Sequence, residues 1–178
     1  MEIREEKNRY REIVRLEKRK HSFEEKKELS KPILERLESL DCFKEAKTIM
    51  FYWSMKDEVH THDFLLSWYR HKKILLPCVE GDVLVIREFT GMDSMKEGEA
   101  FSILEPIGEV FEDLDNIDLI LVPGVAYDKD KNRLGRGGGY YDKLLSETKA
   151  VKIGIGFDFQ KFENIPVESF DIKMDIIL

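Results

Sequence analysis

The segment Asn132-Arg-Leu-Gly-Arg-Gly-Gly-Gly-Tyr-Tyr-Asp142 places four glycines in five positions and threads arginines among them. Each glycine in regular structure costs roughly 0.5–1 kcal/mol against alanine, so this density asks for a reason. One reason is close approach: without side chains, main-chain N–H groups can reach a ligand directly. A helix beginning near Gly139 would add unpaired N–H donors and the positive end of its dipole. Both favour an anion, most simply phosphate, and Arg133 and Arg136 can grip phosphate oxygens with paired donors. The run is not a Walker loop, since no Gly-Lys-Ser/Thr follows. It is not GxGxxG either, because Tyr140 stands where a third glycine would fall.

Other residues offer chemistry only in company. Asp142, in the first turn of that helix, suits a magnesium ion held against phosphates, because magnesium takes one or two carboxylates plus phosphate and water oxygens. Alone it reads more simply as an acid favoured by the helix dipole. Tyr140 and Tyr141 can stack on a ring or pack into a core. Near the N-terminus, Arg4, Lys7, Arg11, Arg15 and Lys18 are spaced 3, 4, 4 and 3 apart, which lines them along one helical face. Ile3, Tyr10, Ile13, Val14 and Leu16 form an adjoining face able to pack on the body. Such a stripe is ordinarily a solvated face, although an anionic partner would relieve its mutual repulsion.

These groups need a scaffold. Residues 2–20 read as a helix, and Ser22 with Glu25 forms a capping box for a second. Residues 61–71 return to helical spacing. Strand-like runs occur at 48–53, 73–79, 83–89, 117–122, 151–157 and 173–178. Alternating helix and strand favours an α/β domain, with 90–116 as a mostly irregular connection suited to a binding loop. No repeat or linker divides the chain of 178 residues, so 1–178 reads as a single domain. The net charge of −7 disfavours nucleic acid as a partner. No apolar run approaches the ~20 residues that span a bilayer. Cys42 and Cys78 are too few for a disulfide scaffold or zinc site, and the N-terminus, with no apolar core and five glutamates, resembles no targeting peptide. A cytoplasmic protein is expected. Oligomeric state is not legible, and a monomer is the default.

The chain resembles the 5-formyltetrahydrofolate cyclo-ligase family over nearly its whole length. The most specific match is Pro123-Gly-Val-Ala-Tyr-Asp128 followed by the glycine loop. Lys7 with Arg11, Ser54 through Thr61, Glu105-Pro106, and Gln160 with Pro166 and Asp171 follow in order. The resemblance implies a three-layer α/β/α domain with a mostly parallel sheet. It implies conversion of 5-formyltetrahydrofolate to 5,10-methenyltetrahydrofolate, with ATP as co-substrate, magnesium as cofactor, and ADP and phosphate released. By the same resemblance ATP would meet Lys7, Arg11, Arg133, Leu134, Gly135, Arg136, Gly137, Gly138, Gly139, Tyr140 and Tyr141. Asp142 and Asp171 would lie near magnesium. The reduced folate would meet Arg11, Met55, Glu58, His60, Phe101, Arg136, Gly137, Gly138, Gly139 and Tyr140, with Arg136 stabilising the transferred phosphoryl group. His60 stands where relatives commonly carry an acid. A small-molecule kinase on the same scaffold would use the same loop but leave phosphate on its product, and a regulator would bind without turnover.

Overall fold

The computed structural model describes residues 2–98 and 103–178. Phe101 lies outside the described residues. Helix α1 (Ile3–Arg19) is followed by α2 (Phe23–Ser39) and α3 (Asp41–Glu45). The Ser22 hydroxyl accepts from the Glu25 N–H, and the Glu25 carboxylate accepts from the Ser22 N–H, so the capping box is complete. The chain continues as β1 (Thr48–Met50), α4 (His62–Trp68), β2 (Lys73–Glu80) and β3 (Val83–Phe89). Next come β4 (Met95–Glu97), β5 (Leu104–Pro106), β6 (Leu119–Val122), β7 (Ala126–Asp128) and β8 (Arg133–Leu134). Helix α5 (Tyr140–Leu145), β9 (Val151–Gly154), β10 (Lys161–Phe162) and β11 (Ile176–Ile177) complete it.

Six strands form one sheet in the order β11-β9-β6-β1-β2-β3. All neighbours run parallel except β3, which returns from β2 through Gly81 at φ +64° and pairs antiparallel at the edge. The central strands are apolar on both faces, as a sheet covered on both sides requires. Ile49, Phe51, Ile74, Leu76, Leu119 and Leu121 pack with Leu37, Phe43 and Leu65 of α2, α3 and α4. The alternate residues Met50, Leu75, Ile120 and Val122 pack with Leu144 and Leu145 of α5. Helices therefore cover both faces, and the expected three-layer arrangement is present.

Two features depart from the sequence reading. Residues 90–116 are not merely irregular, because β4 pairs with β5. A second small sheet, β10-β7-β8, forms from segments read as loop. Strands of two or three residues are too short to carry a periodic signal. The small sheet also gives α1 its seat, with Val14 packed on Ala126, Leu134 and Ile165.

The turn between β7 and β8 is held by Asp128, whose carboxylate accepts from the N–H groups of Asp130, Asn132 and Ile165. These bonds, together with the Asn132 amide, hold its pKa below the ordinary aspartate value although burial opposes them. Beneath lies Tyr127, fully buried, with its hydroxyl directed at the carbonyls of Val122 and Ile155. A methyl group on Gly154 would come within 2.5 Å of its ring. Glycine is needed there for space rather than for backbone freedom.

Candidate active site

In an open α/β sheet, ligands sit beyond the carboxyl ends of the strands, where strand order reverses. Here that point lies between β1 and β6, since the chain winds toward β2 on one side and β9 on the other. A cavity of about 540 Å³ opens at this place. The segment leaving β1 contributes Tyr52, Trp53, Met55 and Glu58, and that leaving β6 contributes Pro123 and Gly124. Gln160 stiffens the second segment. Its amide donates to the carbonyls of Gly124 and Val125, while its oxygen accepts from Phe157 N–H.

The glycine loop forms the opposite wall. Gly137 (φ +106°) and Gly139 (φ +71°) occupy the left-handed region, which a side chain would strain. Among the described residues, the N–H groups of residues 136–142 find no hydrogen-bond acceptor. Helix α5 has six residues, so its attraction for an anion rests on these first-turn donors more than on a long dipole. The adjoining cations are fixed. Arg11 donates to the Gly135 carbonyl at 2.9 Å, and Arg133 to the Pro123 carbonyl at 3.0 Å. Among the described residues, Arg133 Nε is buried without a partner, a donor left open beside the cavity.

The α1 stripe is a correction in part: Lys7 and Lys18 turn inward and Arg11 is half-buried, while Arg4 and Arg15 stay on the solvated face. Lys7 and Lys18 are buried, whereas Ile13 and Leu16 are exposed. Counter-charges from distant segments draw the two lysines in, while Tyr10 and Val14 pack on the body as expected. Lys7 Nζ lies 2.6 Å from both Glu168 and Asp171, and Lys18 Nζ lies 3.3 Å from Asp57. Burial opposes the Lys7 charge, but the two acids outweigh it and hold its pKa above the ordinary lysine value.

Asp142 and Asp171 line the same cavity. Asp142 Oδ1 accepts from Arg133 and from Ile172 N–H, and Asp171 Oδ2 from Lys7 and Glu168 N–H. Among the described residues, the second oxygen of each carboxylate accepts nothing. No group of three or more His, Cys, Asp or Glu residues suited to a metal occurs among them. The donor set thus fits an ion that brings most of its ligands with it. Glu58 is committed on both oxygens, to Met55 N–H at 2.8 Å and to Arg136 at 3.0 Å. Arg136 also reaches Asp57.

The structure brings to this cavity Lys7, Arg11, Met55, Glu58, Arg133–Tyr141, Asp142 and Asp171. It does not bring His60, whose ring meets Phe23 edge-on at 5.7 Å and leans on His62. The His60 N–H donates to Ser30 of α2, which draws the residue toward that helix. Sequence reading missed Tyr52, Trp53, Glu168 and Phe170 as lining residues. Tyr52 and Trp53 had been absorbed into a strand that stops at Met50. Trp53 stacks on His62 at 3.8 Å, and His62 in turn bonds the Ser54 carbonyl. Burial depresses the His62 pKa to about 4.

A sequence profile described as the 5-formyltetrahydrofolate cyclo-ligase family matches residues 3–178. The chain is 33% identical over 144 residues to the 5-formyltetrahydrofolate cyclo-ligase of Haemophilus influenzae, covering 76% of each. Its fold matches the solution structure of Aquifex aeolicus 5,10-methenyltetrahydrofolate synthetase with a TM-score of 0.86 at 35% identity, covering 96% of this chain and 88% of that one. A 5,10-methenyltetrahydrofolate synthetase from Mycoplasma pneumoniae aligns with a TM-score of 0.78 at 28% identity, over 96% of each chain. With the cavity at the sheet's switch point and a match along almost its full length, this chain belongs to the 5-formyltetrahydrofolate cyclo-ligase family, a family of ligases.

Proposed function

We propose that the protein uses ATP and magnesium to cyclise 5-formyltetrahydrofolate to 5,10-methenyltetrahydrofolate, releasing ADP and phosphate. One observation carries this reading. A single cavity joins a row of main-chain donors, residues 136–142, that are unpaired among the described residues, to a recess of Tyr52, Trp53, Met55 and Glu58. The first suits a triphosphate and the second a polar heteroaromatic ring with donors for a carboxylate.

Lys7, Arg11 and the Arg133–Tyr141 loop would hold the nucleotide. The free oxygens of Asp142 and Asp171 would hold magnesium, which supplies charge neutralisation at the phosphates. Met55, Glu58, Arg11, Arg136, Gly137–Gly139 and Tyr140 would meet the folate. Phe101 stays a proposal from resemblance, and His60 is not assigned to the pocket.

The reaction needs placement more than a nucleophilic side chain. A formamide oxygen is a poor leaving group as oxide or hydroxide. Its attack on the γ-phosphorus forms an O–P bond, breaks the bond to ADP, and converts that oxygen into part of a phosphate ester. The nitrogen at position 10 then attacks the activated carbon and loses its proton. The C–O bond breaks, phosphate departs, and the methenyl bridge remains. Phosphoryl transfer of this kind rests on positioning and charge neutralisation. Arg136, tethered by Glu58 and Asp57 at the cavity wall, is the residue proposed to steady the moving phosphoryl group.

The acidic chain, one folding unit over residues 1–178, is inferred to work in the cytoplasm on small molecules. No helix among the described residues is long and apolar enough to cross a membrane. The test is an omission series that follows the near-ultraviolet absorbance of the methenyl product. Growth of the band only with protein, magnesium-ATP and 5-formyltetrahydrofolate together is expected. Growth without ATP, or none with all components, would refute the reading.

A further inference from the structure

Strand β1 ends at Met50, and one more ladder-like bond runs from the Phe51 N–H to the Leu75 carbonyl. The segment that follows carries Tyr52, Trp53 and Met55 to the main cavity, beyond the reach of the sheet. The start of α4 holds it instead. The Thr61 hydroxyl donates to the Tyr52 carbonyl at 2.7 Å and accepts from the Ser54 N–H at 3.2 Å. The Thr61 N–H donates to the Ser54 hydroxyl at 3.0 Å. His62 Nε2 lies 2.9 Å from the Ser54 carbonyl, and because a carbonyl only accepts, this nitrogen carries the proton. These bonds fix residues 52 and 54. Among the described residues Trp53 makes no hydrogen bond of its own, so packing alone sets the plane of its ring. Phe89 is a tilted neighbour with centroids 6.2 Å apart. His62 lies within 14° of parallel at 3.8 Å and covers one face of the indole.

His62 does not line the cavity, and burial keeps its ring neutral at pH 7. Its influence on a ligand therefore passes through Trp53. We propose that His62 is a positioning residue: it sets the plane of Trp53, and that plane seats the heteroaromatic ring of the substrate in the recess. Aromatic rings attract in particular offset or edge-on arrangements, so a wall free to tilt loses the pairing. The identity of the seated ring rests on the folate reading above. A contact to the face of that ring is made equally before and during phosphoryl transfer, so its loss raises KM and spares kcat.

The full-length protein carrying Trp68→Phe, in which Trp53 is the one remaining tryptophan, is compared with the same protein carrying His62→Ala or His62→Phe. Time-resolved fluorescence anisotropy should show sub-nanosecond indole motion in His62→Ala alone, since phenylalanine restores a flat partner. The KM for 5-formyltetrahydrofolate should rise roughly tenfold in His62→Ala, while kcat and the KM for ATP stay within about twofold. His62→Phe should return it to within about twofold of the parent. In a Trp53→Leu background, where no indole is left to place, His62→Ala should add less than about twofold. A Trp53 ring as rigid in His62→Ala as in the parent would overturn the proposal. So would a KM rise of equal size in the Trp53→Leu background, or a joint loss of kcat and both KM values. Absence of folate turnover in the parent would refute the folate reading and the substrate named for this wall, while the anisotropy would still decide whether His62 holds Trp53.

Discussion

Replacing Lys7 with methionine keeps the aliphatic stem and removes the ammonium that joins α1 to the C-terminal segment. Two carboxylates, each 2.6 Å from that ammonium, lose their partner together. Glu168, with a third of its side chain exposed, can turn to solvent, but Asp171 is 11% exposed and pinned by the Glu168 N–H. Breaking a fully buried pair costs about 3–5 kcal/mol, and an exposed pair about 0–1 kcal/mol. One trapped and one escaping carboxylate place Lys7→Met at about 2–4 kcal/mol. For a chain of this size, that lowers Tm by roughly 5–15 °C. The pH dependence gives an independent check. Lys7 has its pKa raised in the folded state, so its stabilisation is complete below the ordinary lysine value of 10.5 and is lost as pH rises through the folded value. Parent and variant should therefore differ by the full amount at pH 7 and converge at a pH beyond the raised folded value, the gap beginning to close only above 10.5. Urea unfolding at the two pH values measures both. A variant that unfolds within about 1 °C of the parent at pH 7 would refute the claim that this triad anchors α1.

Gly154→Ala should destabilise by about 1–3 kcal/mol through overpacking against Tyr127, read as a lower urea midpoint, and equal stability would contradict the contact. Arg136→Ala should lower kcat roughly a hundred- to a thousandfold while ATP affinity, measured by calorimetry, changes far less. A matching loss in affinity would make Arg136 a binding residue only. His62, with its folded pKa depressed to about 4 from 6.5, contributes stability present above pH 6.5 and lost as pH falls to about 4. In His62→Gln, that part of the acid-side loss in Tm should vanish; an unchanged profile would remove the buried neutral imidazole from the account.

The glycine loop and the main strands were legible because their signals are local: glycine density, β-branched runs and capping residues act within a few positions. The capping box at Ser22 and Glu25 appears as read. What escaped depends on distance along the chain. The orientation of α1 is decided by Glu168 and Asp171, more than 160 positions from Lys7, and helical spacing cannot reveal which charged face will meet them. Strands β7, β8 and β10 hold two or three residues each and exist because the Asp128 turn and the β10 segment meet in space. His60 was placed by likeness to an acid in relatives, whereas its N–H bond to Ser30 turns the residue toward α2. Tyr52 and Trp53 looked like strand interior, since aromatic residues serve a core and a cavity wall equally well.

The central claim is that the formyl oxygen leaves as phosphate. Turnover of 5-formyltetrahydrofolate labelled with ¹⁸O in the formyl group, with unlabelled ATP and water, tests it most directly by mass spectrometry of the products. The account predicts one labelled oxygen in each phosphate released and none in the methenyl product or ADP. Unlabelled phosphate, with the label recovered in water, would contradict it.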